Sequence, residues 1–202
     1  MENGNALDFV RRNADADCLQ LLAQVAKGLD YLHTFEPPMI HGDLRGVRAH
    51  QYHRAVSVYD RFLVPITREG APNDHLRWQA SEIIVAETGD EARRTVAMEV
   101  FAFGRVMLEL FTKEVPFSCI ASDFRLRMMV VRGESPQRPC GDEIKDRGLS
   151  DDMWELMLRC WDVDPSQRPD VKDTTARLNA ALEAQGEKIS SSRPKKRLRI
   201  SE

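Results

Sequence analysis

The stretch from Val100 to Phe111 constrains the fold more than any other. Wound as a helix, Val100, Phe101, Phe103, Gly104, Val106, Met107, Leu110 and Phe111 leave almost no polar face for solvent. A helix that is apolar nearly all round must be buried centrally, so the rest of the chain has to cover it. The covering elements read as helices too. Cys18, Leu22, Val25, Ala26, Leu29 and Leu32 recur at helical spacing behind Asp15 and Asp17, either of which can cap the N-terminus. Ser122-Asp123 opens a helix to about Arg132. Ser150-Asp151-Asp152 opens another that turns Met153, Leu156, Met157, Cys160 and Trp161 inward. A final helix is predicted from Asp170 to about Ala184, with Val171, Thr175, Leu178 and Leu182 on its buried side. The fold class is mainly α.

Length leaves room for one large domain or two small ones. Of 202 residues, 42% are hydrophobic and 30% charged, as in a globular protein with a real core. Such a chain should hide roughly 70% of its unfolded surface. No apolar run approaches the ~20 residues of a membrane span, and no N-terminal signal pattern appears, so an intracellular, membrane-free protein is expected. Cys18, Cys119, Cys140 and Cys160 show no C-x-x-C spacing, and reduced thiols are expected. His50 and His53 lack the further ligands that zinc needs.

Chemistry concentrates at Ile40-His41-Gly42-Asp43-Leu44-Arg45-Gly46-Val47-Arg48. This stretch resembles the catalytic loop of protein kinases, H-R-D-L-x-x-x-N. Other segments resemble the same family in the same order. Gly28-Leu29-Asp30-Tyr31-Leu32-His33 is similar to the helix before the loop. Arg77-Trp78-Gln79-Ala80-Ser81-Glu82 is similar to R-W-M-A-P-E. Glu99-Val100-Phe101-Ala102-Phe103-Gly104 is similar to D-V-x-x-F-G, and Cys160-Trp161-Asp162 through Arg168-Pro169 to C-W-x-x-D-P-x-x-R-P. All belong to the large helical lobe. The resemblance implies that lobe over residues 1–186, with at most a small β-hairpin near Val56-Ser57-Val58-Tyr59, followed by a disordered basic tail over 187–202.

The resemblance also implies roles. Asp43 stands where the family's catalytic base accepts the substrate hydroxyl proton, with Arg45 as a phosphate contact. Asp60, in Asp60-Arg61-Phe62, stands where D-F-G would supply a magnesium ligand. His41, Glu82, Glu99 and Arg168 stand at structural positions: Glu82 is expected to pair with Arg168. Glu99, one methylene longer than the family's Asp, is expected to cap the loop poorly. Two replacements weaken the chemistry. Gly42 takes the place of the loop arginine, and Arg48 that of the metal-binding Asn. A fixed positive charge ~4 Å from a dication, at an effective dielectric of ~20, is repelled by about 8 kcal/mol. The small lobe's glycine-rich loop and strand lysine match nothing in this sequence, so that lobe is expected to be absent. ATP and magnesium are not expected to bind well, and would be the cofactors only if activity were retained.

A lobe without its partner is expected to expose an apolar patch at the loop and first residues, and a protein partner is expected. Residues 188–202 carry six basic residues against one acid, whereas the preceding 187 carry 23 basic and 31 acidic. The tail therefore reads as a nuclear-import or polyanion segment that would bind nucleic acid only weakly. Either a nuclear or a cytoplasmic location follows.

Overall fold

A computed structural model describes residues 5–46, 76–89 and 93–192, with side chains to 187. Eight α-helices and one short 3-10 turn make up the described residues, which include no strand. In order, they are α1 (Ala6–Arg12), α2 (Cys18–His33), α3 (Ser81–Val85), α4 (Val96–Thr112), α5 (Asp123–Val131), α6 (Asp142–Asp146), α7 (Asp151–Cys160), the turn Pro165–Gln167 and α8 (Val171–Ser192). The hairpin expected near Val56 lies outside these residues.

Helix α4 is the axis of the molecule. Every residue from Glu99 to Phe111 is buried, because α1, α2 and α7 pack against it from different sides. Its start is fixed by Thr95, whose hydroxyl accepts from the Met98 amide at 3.3 Å. Helix α2 begins where Asp17 accepts from the Gln20 amide at 2.9 Å, and its buried face lies along α8. A second, smaller core of Leu76, Phe117, Ile120, Leu126 and Val130 seats α5 beside α3.

One expectation needs correction. Helix α8 does not stop near Ala184 but runs to Ser192. Residues 183–188 are mostly strong helix formers, and no proline intervenes before Pro194. The apolar patch expected at the loop and first residues falls partly outside the described residues; within them Leu7, Val10 and Leu44 are buried, and Phe9, Met39 and Ile40 are half-buried. The large apolar side chains left exposed are Tyr31, Val85, Phe124, Leu158 and Val163, which lie elsewhere in the sequence.

Candidate functional site

The loop from His41 to Gly46 is held from beneath by two acids of α4. Glu99 Oε1 accepts from the Gly42 amide at 2.6 Å, and Oε2 lies 2.8 Å from His33 Nε2. The expected poor cap is thus overturned. The extra methylene lets one buried carboxylate reach both the loop backbone and the end of α2. Ten residues further along α4, nearly three turns, Glu109 Oε2 accepts from the Gly46 amide at 2.9 Å and from Trp78 Nε1 at 3.0 Å. Glu109 has no exposure, and burial pushes its carboxyl up to about 7 against the donors that favour the anion. Gly46 must lack a side chain, since a Cβ there would lie 2.6 Å from the Glu109 carboxyl carbon.

Asp43 and Arg45 come together in the loop. Asp43 Oδ1 is 3.3 Å from Arg45 Nε, both residues are buried, and the Asp43 amide donates to His41 Nδ1 at 3.2 Å. The loop therefore places the Asp43 carboxylate beside the Arg45 guanidinium. Asp60, Arg48, His50 and His53 lie outside the described residues. Among the described residues, no group of three His, Cys, Asp or Glu could hold a metal ion.

Glu82 and Arg168 also meet. Arg168 donates from Nη1 and Nη2 to the two carboxylate oxygens at 2.6 and 2.9 Å, a bidentate pair. Arg168 donates further to the Ala97 and Asp162 carbonyls and stacks its guanidinium 5.1 Å from the Phe101 ring. Arg77, adjacent to Trp78, donates to the carbonyls of Pro116, Phe117 and Ile120, clamping the turn after α4. The sequence reading missed Arg77, Arg105 and Glu109 as placed groups. The available signal was two charged residues, Arg105 and Glu109, inside the otherwise apolar stretch 100–111.

A buried central helix, a loop strapped to it by carboxylates, and a long-range Glu–Arg pair closing the segment above define the large lobe of a protein kinase fold. The family model for protein tyrosine and serine/threonine kinases matches residues 1–178. The chain belongs to that family. It is similar to the serine/threonine-protein kinase STY17 of Arabidopsis thaliana, 28% identical over 196 residues, covering 93% of this chain and 32% of that protein. It is also similar to the serine/threonine-protein kinase TNNI3K of Rattus norvegicus, 29% identical over 171 residues, covering 81% of this chain and 19% of that protein. The chain thus spans a third or less of the length of these relatives. Among the described residues, no helix is long and apolar enough to cross a membrane.

Proposed function

We propose that this chain is a catalytically impaired kinase lobe that serves as a binding or regulatory module for a protein partner inside the cell. The carrying observation is where the sequence departs from the family. The scaffold contacts are intact: Glu82 with Arg168, Glu99 with Gly42, Glu109 with Gly46 and Trp78. Two of the changes fall on the chemistry, at Gly42 and Arg48. Ser81 and Glu99 also depart from the family's residues, yet the contacts around them are made. Phosphoryl transfer rests on positioning and charge neutralisation, and Arg48 puts a cation where the family places a neutral metal ligand.

A second reading is favoured by the retained pair Asp43 and Arg45, 3.3 Å apart. With a small lobe supplied alongside, the loop would serve an ATP- and magnesium-dependent protein kinase. The relatives named above favour serine or threonine as its acceptor. If magnesium were held, Asp60 is the residue of this chain that would hold it, and Asp43 would take the acceptor's proton. Transfer of the γ-phosphate of ATP to a generic acceptor protein separates the readings. The impaired lobe gives the same background as its Asp43→Asn variant. Incorporation that depends on Asp43 would establish the enzyme.

A further inference from the structure

We infer that Arg94 delivers, from the segment ahead of α4, the guanidinium that kinase catalytic loops carry at the position of Gly42, and that it positions the loop. Gly42 has a φ of +75°, in the left-handed region that glycine enters freely. A Cβ built there would lie 2.7 Å from Cδ and 3.0 Å from Cζ of Arg94, with Nη1 closer still. The Arg94 side chain therefore fills the volume that a side chain at 42 would need. On its other side, the Gly42 amide is held by Glu99 at 2.6 Å. One short stretch, 94–99, thus grips Gly42 through a cation against its α-carbon and an anion on its N–H.

This arrangement makes Gly42 an exchange rather than a simple loss. Two guanidiniums cannot share the volume, and like charges in contact repel. Arg94 as a residue is exposed, so burial does not explain why its side chain lies on the loop. The inference is independent of whether the lobe transfers phosphate.

A double-mutant cycle on the 202-residue chain tests it. Unfolding equilibria in denaturant are measured for Gly42→Ala, Arg94→Ala and the pair. The expected result is that Gly42→Ala lowers the folding constant, and that prior removal of Arg94 shrinks this loss by about tenfold, leaving only the backbone strain. Additive effects would overturn the inference. Amide exchange at Gly42 supplies a readout that needs no substitution in the loop. Arg94→Lys should keep the protection of the Gly42 amide, and Arg94→Met should lose it by about tenfold. Equal protection in the Met variant and the parent chain would show that the charge does not position the loop.

Discussion

Arg168 and Glu82 are 86 residues apart in the chain, yet Arg168 Nη1 lies 2.6 Å from Glu82 Oε1. The guanidinium side chain has no exposure and the carboxylate only 25%. The pair joins the segment carrying Trp78 and α3 to the turn before α8, and so closes the lobe.

Removing one partner leaves a buried charge without its counter-ion. Glu82→Ala is expected to lower stability by roughly 3–5 kcal/mol, measured by denaturant unfolding. A loss below about 1 kcal/mol, the range of exposed pairs, would mean that the contact does not close the lobe.

Arg105 presents the opposite case. It is buried between the rings of Phe101, Phe117 and Trp161, at 5.0, 4.9 and 4.4 Å. Its Nε and Nη1 have no hydrogen-bond partner among the described residues, and burial pulls the guanidinium down to about 9. Unmade hydrogen bonds cost about 1–3 kcal/mol each, and the ring contacts return about 2 in all. With two such atoms, Arg105→Met should therefore stabilise the fold, by up to about 4 kcal/mol. A clear destabilisation would show that the rings hold the cation more strongly than this.

Glu109 should make stability fall with rising pH. Its folded value, about 7, lies above the ordinary 4.5 because burial favours the neutral acid. The folded state therefore binds more protons than the unfolded chain between those values. The contribution is fully present below about pH 4.5 and is lost as pH rises through about 7. Its size is roughly 3 kcal/mol. Comparing urea midpoints from pH 5 to 8, Glu109→Gln should flatten this slope while still accepting from Gly46 and Trp78. An unchanged slope would place the titration elsewhere.

Much of the lobe was legible in the sequence because local patterns carry it. The apolar stretch at 100–111 specified a buried axis, and Asp17, Ser122 and Ser150 marked helix starts that accept from the amides of Gln20, Arg125 and Met153. The end of α8 was harder, since Gly186 alone does not stop the helix and no proline intervenes before Pro194. The site was less legible for a different reason. Glu99 reaching both His33 and Gly42, Glu109 bridging Gly46 and Trp78, and Arg94 lying over Gly42 are contacts between distant segments. Neither period nor spacing along the chain encodes them. Glycine at 42 and 46 left a trace only as unexplained small residues, until the side chains filling their space were located.

The most direct test of an impaired lobe is whether it takes nucleotide. Titration calorimetry of the purified 202-residue chain with ATP and magnesium is expected to show no saturable heat at micromolar nucleotide. Saturable, magnesium-dependent heat, accompanied by the rise in melting temperature that binding to the folded state must produce, would contradict it.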